Sequence, residues 1–202
     1  MANQYFVFAG PQAAGKSSLV TRVCAENQAI IPLEESRQII VHKYQRKGAI
    51  FMTELDEIEV IHNDMTRMFV VLAHSHSAHT YVDETNVFTL AHARAHGIDL
   101  VSGYFKQYCD MLARLKAGII FVDVPPAVSW DRRRFRYMQR LWDVSDEHRE
   151  ELMAKYKSYL DRLYPELLDV YHKLDCKKGI IDGCRDANHI WQDAQHLMAS
   201  MA

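Results

Sequence analysis

Five short apolar segments, separated by longer amphipathic stretches, give this 202-residue chain its pattern. They lie at about 4–9, 29–32, 79–83, 119–124 and 179–182. Continuous apolar runs of this length are typical of strands buried on both faces, and helices between such strands are typical of parallel sheets. The pattern therefore predicts an α/β domain with a five-stranded parallel sheet and helices on both faces.

The stretches between these segments carry apolar residues at helical spacing. The clearest helix follows Thr53, and its apolar face consists of Ile58, Ile61, Met65, Met68, Phe69 and Leu72. The other predicted helices lie at about 16–27, 36–47, 87–96, 103–116, 145–173 and 186–200. Pro165 predicts a break in the helix that begins near residue 145, because proline cannot donate a helical hydrogen bond.

The composition narrows the class of protein. The chain is 49% hydrophobic, which suits one domain spanning residues 1–202, and its net charge of −2 gives no basic field for duplex nucleic acid. No apolar run approaches membrane-spanning length, and the first strand begins at once, so we expect neither a membrane segment nor a signal peptide. The 4 cysteines are scattered without a Cys-x-x-Cys pair, which indicates reduced thiols in a cytoplasmic protein.

Residues 10–17 join the first strand to the first helix and fit the phosphate-loop (Walker A) pattern Gly-x-x-x-x-Gly-Lys-Ser. Such a loop turns successive backbone N–H groups toward one anion, and the helix N-terminus adds its own. We predict that Lys16 binds the β- and γ-phosphates of ATP, that Ser17 ligates Mg²⁺, and that Ser18 contacts a phosphate or caps the helix. The predicted nucleotide-binding residues of this loop are Gly10, Ala13, Ala14, Gly15, Lys16, Ser17 and Ser18.

Acidic residues follow the second and third strands. Because ligands bind beyond the carboxyl ends of the strands in open α/β sheets, we expect these acids near the phosphate loop. Either Glu34 or Glu35 is a candidate general base, and the alternative is an acid favoured at a helix N-terminus. Asp83, next to Glu84, is the candidate for orienting Mg²⁺, and the alternative is an N-cap of the following helix.

Five arginines fall within residues 132–140. If the segment is helical, Arg132, Arg136 and Arg140 align on one face. Guanidinium groups suit phosphoryl oxygens and can stabilise a transferring phosphoryl group, whereas the alternative is a solvated basic face paired with nearby acids. We predict a local anion site on this face, with Arg132 and Arg136 as candidate residues.

On these motifs the chain resembles the phosphate-loop kinases of small molecules, in particular the thymidylate kinase-like and deoxynucleoside kinase-like groups. It is also similar to the ATPase domains that include nicotinamide riboside kinase-like proteins. The resemblance runs from the phosphate loop to the fifth strand and implies the three-layer phosphate-loop NTPase fold, with ATP and Mg²⁺ as cofactors. No Asn/Thr-Lys-x-Asp string is present, which argues against a GTPase.

The resemblance also implies an arginine-rich lid at about residues 130–147, in which Arg132 and Arg136 close over the phosphates of ATP. It implies roles for the acidic residues as well. Deoxynucleoside kinases have a Glu after strand two as base for the sugar hydroxyl, and the ATPase-like proteins have Glu-x-x-Arg there. The string Glu34-Glu35-Ser36-Arg37 looks like that motif, which implies Glu34 as the base and Arg37 as a contact to the substrate or the transferred phosphate. After strand three the family has an acid followed by Arg, and here the Arg is missing. The remaining candidate substrate contacts are Glu35, Asp83 and Glu84.

The sequence therefore predicts an ATP- and Mg²⁺-dependent phosphotransferase, with a nucleoside or nucleoside monophosphate as the favoured acceptor. One alternative is a kinase of another small molecule, such as a vitamin riboside, a sugar or an antibiotic. The other is a regulatory ATPase without a metabolite product. The apolar helix faces at about 55–75 and 87–116 either pack on the sheet or form a homodimer.

Overall fold

A computed structural model describes residues 4–43, 53–74, 79–99, 101–142 and 144–202. It contains a five-stranded parallel sheet with the strand order β2-β3-β1-β4-β5. The strands are β1 (Gln4–Ala9), β2 (Ile30–Pro32), β3 (Thr80–Glu84), β4 (Gly118–Asp123) and β5 (Lys177–Asp182). All five predicted strands are confirmed within two residues, because buried parallel strands are apolar along their whole length.

Helices connect the strands on both faces of the sheet. They are α1 (Lys16–Glu26), α2 (Ser36–Lys43), α3 (Glu54–Ala73), α4 (Thr89–Ala95), α5 (Val101–Leu115), α6 (Pro126–Arg140), α7 (Asp146–Lys173) and α8 (Ala187–Met201). A short 3-10 turn, Asn86–Phe88, precedes α4. The part of the predicted helix 36–47 beyond residue 43 lies outside the described residues.

Alternate residues of the strands face two separate cores. In β1, Tyr5 and Val7 pack under α3, α4, α5 and α7, whereas Phe6 and Phe8 pack under α1 and α8. Successive side chains of a strand point to opposite faces, so each strand supplies both cores. The predicted three-layer arrangement is confirmed, and within the described part of the chain no helix is long and apolar enough to cross a membrane.

A capping motif explains where α3 begins, and burial explains why α7 continues through a proline. Thr53 caps α3, since its side chain accepts from the Asp56 amide and Asp56 in turn accepts from the Thr53 amide. The predicted break at Pro165 is wrong, because α7 continues through it. Leu163 and Leu167 on either side are fully buried. Burying each is worth about 1.5–3 kcal/mol, which offsets a proline cost of about 3 kcal/mol.

The sheet topology brings three loops to one edge. The register pairs Phe8 of β1 with Glu84 of β3, so the segments that follow these residues leave the sheet side by side. Beyond the strands, the Leu33 amide still donates to the Val82 carbonyl (2.8 Å) and the Thr85 amide to the Phe8 carbonyl (3.2 Å). The phosphate loop, the loop between β2 and α2 and the end of β3 therefore meet at the carboxyl edge of the sheet.

Candidate active site

The phosphate loop has the backbone that its glycines permit. Gly10, Ala13 and Gly15 have positive φ angles of 135°, 59° and 92°. A Cβ atom at Gly10 would lie 2.3 Å from the Val122 carbonyl oxygen, so only glycine fits there. Helix α1 begins at Lys16 without a side-chain cap, and its first N–H groups face the loop. The backbone thus forms an anion-binding cradle of the kind that the motif predicts.

Lys16 and Ser17 extend from the start of α1 over this loop. The Lys16 ammonium donates to the carbonyl oxygens of Gly10 (3.0 Å) and Pro11 (2.9 Å). Burial lowers the pKa of Lys16, while the negative charges of Glu35 and Glu84 raise it. Both acids therefore lie close enough to Lys16 to act on its charge.

Glu84 is the acid of β3 that faces the loop. The Ser17 hydroxyl donates to its Oε2 atom at 2.9 Å. Burial raises the pKa of Glu84, whereas Lys16 and the Ser17 hydrogen bond lower it. An oxygen pair of one hydroxyl and one carboxylate is the donor type that Mg²⁺ prefers, so these two residues fit a magnesium ion held with phosphate oxygens.

Asp83, the predicted magnesium residue, is not at this position. Its fully buried carboxylate accepts from the Tyr5 hydroxyl (2.6 Å) and the Asn86 amide (3.1 Å) and pairs with Arg67 (3.2 Å). Adjacent strand residues point to opposite faces, so only one of the two acids can reach the loop. Burial raises the pKa of Asp83 to about 7, although Arg67 lowers it.

The residue after Glu84 has an unusual backbone. Thr85 has φ 73° and ψ −61°, which is rare for a β-branched residue and costs on the order of 1–3 kcal/mol. Its amide is bonded to the Phe8 carbonyl, and its hydroxyl donates to Glu35 at 3.3 Å. The surrounding contacts thus hold a strained turn that links the end of β3 to the loop after β2.

Between the two candidate bases, the structure places Glu35 nearer to the phosphate loop. The Glu35 side chain is half-buried and accepts from Thr85, and its charge raises the pKa of both Lys16 and Glu84. The Glu34 side chain is exposed, and its carbonyl oxygen accepts from Arg67. The geometry favours Glu35, whereas the resemblance had implied Glu34.

Arg37, the predicted substrate contact, is paired within the protein. Its guanidinium makes two parallel hydrogen bonds of 2.7 Å to the carboxylate of Glu57, which is fully buried on α3. Burial lowers the pKa of Arg37, and the contact with Glu57 raises it above its usual value. The paired charge is therefore not available as a free phosphate-binding cation.

The arginines of α6 divide into an outer and an inner set. Arg132 is exposed and donates to the Gly183 carbonyl at 3.0 Å, and Arg136 is exposed. Arg133 is half-buried, and its charge lowers the pKa of Lys16. The sequence pattern did not select Arg133, because only the arginines spaced four residues apart were aligned, without regard to which face of the helix is buried. The buried residues Ser129 and Tyr137, four positions to either side, are the sequence signal that marks its face.

Two residues of α6 and α7 hold the phosphate loop from above. The Ser129 hydroxyl donates to the Gln12 carbonyl at 2.5 Å, and the Tyr156 hydroxyl donates to the Gln12 side chain. These contacts join positions 117 and 144 residues apart in sequence, so no local pattern could have indicated them. They place α6 directly beside the loop, while closure of the lid stays a prediction.

A second group of buried polar side chains lies behind the loop. His92 and Tyr159 share a hydrogen bond of 2.5 Å, and the ring of His96 stacks on Tyr159 with centroids 4.4 Å apart. Burial lowers the pKa of His92 well below its usual value, and the charges of Arg37, Lys16 and Arg133 lower it further. His92 is therefore neutral at pH 7. Within the described ranges, no group of three His, Cys, Asp or Glu residues could hold a metal ion.

The strand order and the loop after β1 give the chain a fold similar to that of solved deoxynucleoside kinase-like structures. The chain is similar to deoxyadenosine kinase from M. mycoides with dCMP and dCDP bound, with a TM-score of 0.64 and 11% identity over 98% of this chain and 100% of that one. It is also similar to the YorR protein of Bacillus subtilis in complex with phosphorylated GDP, with a TM-score of 0.58 and 14% identity over 96% and 95% of the two chains. No family model and no curated protein matches the sequence.

Proposed function

We propose that this protein is an ATP- and Mg²⁺-dependent phosphotransferase that moves the γ-phosphate to a nucleoside or nucleoside monophosphate. The observation that carries the proposal is the convergence of Lys16, Ser17, Glu84 and Glu35 at one loop, with Ser17 and Glu84 in contact at 2.9 Å. A phosphate-binding lysine, a magnesium-type oxygen pair and a nearby carboxylate are the parts that phosphoryl transfer to a hydroxyl requires.

Each residue at the loop has a distinct role in this proposal. The backbone amides of residues 10–15 and the ammonium of Lys16 bind the β- and γ-phosphates, and Ser17 and Glu84 hold the magnesium ion. The metal supplies neutralisation of the phosphate charge. Asp83, the residue that the sequence favoured for the metal, is proposed instead to fix the end of β3 through Tyr5 and Arg67.

Glu35 is proposed as the general base for the acceptor hydroxyl. It lies at the end of the loop after β2 and faces Lys16, and its two oxygens accept from Thr85 (3.3 Å) and from the Gln38 side chain (3.0 Å). A carboxylate in that position can accept the hydroxyl proton as the phosphoryl group arrives. Arg133 is proposed to neutralise the transferring phosphoryl group, because its charge acts on Lys16. Arg132 and Arg136 are proposed to reach the phosphates only if α6 moves.

The proposed acceptor class rests on the similarity of the fold to solved deoxyadenosine kinase structures. The similar solved structures include one of a deoxyadenosine kinase with dATP bound, a TM-score of 0.61 and 11% identity. In this chain, neutral hydrogen-bonding rings of His92, Tyr156 and Tyr159 lie behind the loop. These rings are at most 5% exposed and bond to one another or to Gln12, so the solved structures alone make a nucleoside the first acceptor to test.

A homodimer through α3 and α5 stays a prediction. Phe69 and Val70 on α3 are half-exposed, and beside them lies a cleft of about 590 Å³ between the two helices. The buried side of α3, including Met65 and Met68, packs toward the sheet. Packing on the sheet thus accounts for the buried residues of α3, and a homodimer through the exposed ones stays a proposal.

A thermal-shift screen tests the proposed function. The protein is heated with Mg²⁺ and a non-hydrolysable ATP analogue, and nucleosides, nucleoside monophosphates, nicotinamide riboside and sugars are added one at a time. A ligand at 100 times its dissociation constant contributes about 2.7 kcal/mol and raises the midpoint by several degrees. A selective shift with one nucleoside or monophosphate supports the proposal. Stabilisation by the ATP analogue with every acceptor silent favours a regulatory ATPase.

A further inference from the structure

The residues on either side of Glu35 are tied to one buried ion pair. Arg67 and Asp64 lie about one turn apart on α3, and Nη2 of the arginine is 2.6 Å from Oδ1 of the aspartate. Arg67 also donates to the Glu34 carbonyl, and Asp64 accepts from the Ser36 hydroxyl at 2.6 Å. The backbone that carries Glu35 is therefore held on both sides by the Arg67–Asp64 pair.

The pair itself is fixed from the side away from Glu35. The second oxygen of Asp64 accepts from Thr89 (2.9 Å) and from the Tyr108 hydroxyl (2.8 Å). The side chains of Asp64 and Arg67 are 1% and 13% exposed. Displacing a buried charge from such a set leaves a polar group unpaired, which costs about 1–3 kcal/mol or more. The pair can therefore act as a rigid support.

The same arginine reaches the end of β3. Arg67 lies 3.2 Å from Asp83, whose neighbour Glu84 contacts Ser17. One guanidinium thus connects the backbone around Glu35 with the strand end that carries Glu84. The positions of Glu35 and Glu84 relative to the phosphate loop therefore depend on Arg67.

We propose that Arg67 and Asp64 are positioning residues for Glu35. They hold its backbone at the distance from the phosphate loop that proton transfer requires, and they do so without touching ATP or the acceptor. The inference rests on the proposed function, since Glu35 is the base only in that proposal. A displacement of about 1 Å at such a site can reduce the rate by on the order of 10²-fold.

The test uses two variants, each of which lacks one hydroxyl group that donates a hydrogen bond to Asp64. Ser36→Ala removes the hydroxyl next to Glu35, and Tyr108→Phe removes one that reaches Asp64 from α5. Phosphoryl transfer is measured with ATP and an equimolar mixture of the four deoxynucleosides. We expect Ser36→Ala to lower kcat about 10-fold with the KM for ATP within about twofold, and Tyr108→Phe to lower kcat less than about twofold. Equal losses of kcat in both variants would overturn the inference.

A double-mutant cycle separates positioning from general loss of structure. If Ser36 acts through Glu35, then Ser36→Ala has no further effect on kcat once Glu35→Gln is present. Losses that multiply in the double variant would show that Ser36 acts independently of the base. The proposed function fails separately, because a wild-type protein that transfers phosphate to no nucleoside and no nucleoside monophosphate contradicts it directly.

Hydrogen exchange tests the support of the loop without any activity. The amides of Gln38 and Ile39 are bonded to the Glu35 carbonyl at 2.9 and 3.2 Å. Their exchange should be several-fold faster in Ser36→Ala than in the wild type and unchanged in Tyr108→Phe. Unchanged exchange in Ser36→Ala would overturn the inference, whatever the kinetics show.

Discussion

At the residue scale, the account depends on which of two adjacent glutamates faces the phosphate loop. The Glu35 side chain is held by Thr85 and acts on the charge of Lys16, whereas the Glu34 side chain is exposed. Both residues lie in the loop before α2, and the structure turns only the second of them toward Lys16. The backbone of Glu34 contributes instead, through its carbonyl and Arg67.

We predict that Glu35→Gln lowers kcat for transfer to a nucleoside hydroxyl by about 10²- to 10⁴-fold, which is the usual contribution of a positioned base. The affinity for ATP should remain nearly unchanged. Glu34→Gln is the matched control and should retain kcat within about twofold. Steady-state kinetics of both variants check this, and a larger loss in Glu34→Gln would return the base to the residue that the resemblance implied.

At the scale of elements, β3 brings two acids to opposite sides of the sheet. Asp83 and Asp64 share the single guanidinium of Arg67. Because one positive charge faces two buried carboxylates, Asp83 retains its proton to a higher pH than an isolated aspartate does. Burial raises the pKa of Asp83 to about 7, against about 3.8 in an unfolded chain. Between these values the unfolded chain has lost the proton and the folded chain has kept it. The contribution of this group to the free energy of unfolding therefore falls as the pH rises from about 4 to 7.

Asp83→Asn removes this titration. The free energy of unfolding of the variant, relative to the wild type, should rise by about 1–4 kcal/mol between pH 4.5 and 7.5. Urea unfolding of both proteins at several pH values measures that difference. A difference that stays flat across this range would show that Asp83 is ionised throughout, with its charge fully balanced by Arg67.

The elements were predictable from sequence where the signal is local. The strand β1 and the phosphate loop after it are read from a continuous run of residues, and the Thr53 cap of α3 is read from a four-residue motif. Whether Glu84 or Asp83 points toward the phosphate loop depends on the register of β3, and a shift of one residue would exchange the two side chains. The pairing of Arg37 with Glu57 joins two helices and has no local signature.

At the scale of the whole molecule, the two long C-terminal helices lie over the N-terminal loop. Ser129 of α6 and Tyr156 of α7 both bond to Gln12, and Arg133 acts on Lys16 from the same side. The candidate site therefore combines the first 20 residues and the ends of β2 and β3 with a segment more than 100 residues after the loop. The sequence indicated an arginine-rich helix in this segment. Which face of that helix lies toward the loop could not be predicted, because it depends on the burial of Tyr137 in the core.

Arg133→Ala should lower phosphoryl transfer by on the order of 10²-fold, because it removes a cation that faces the transferring phosphoryl group. Arg134→Ala is the matched control. Arg134 is exposed, and its guanidinium stands over Phe135 and 3.8 Å from Asp131. It should retain nearly full activity. Initial rates at saturating ATP check both variants, and equal losses would indicate that only the total charge of α6 matters.

The central claim is that the loop at residues 10–17 binds ATP and directs its γ-phosphate to a small acceptor. The most direct measurement is transfer of label from γ-labelled ATP to deoxynucleosides and deoxynucleoside monophosphates, by the wild type and by Lys16→Ala. We predict a labelled product with the wild type and a rate lower by at least about 10²-fold in the variant, which circular dichroism should show to be folded. Near-normal transfer by folded Lys16→Ala would contradict the account.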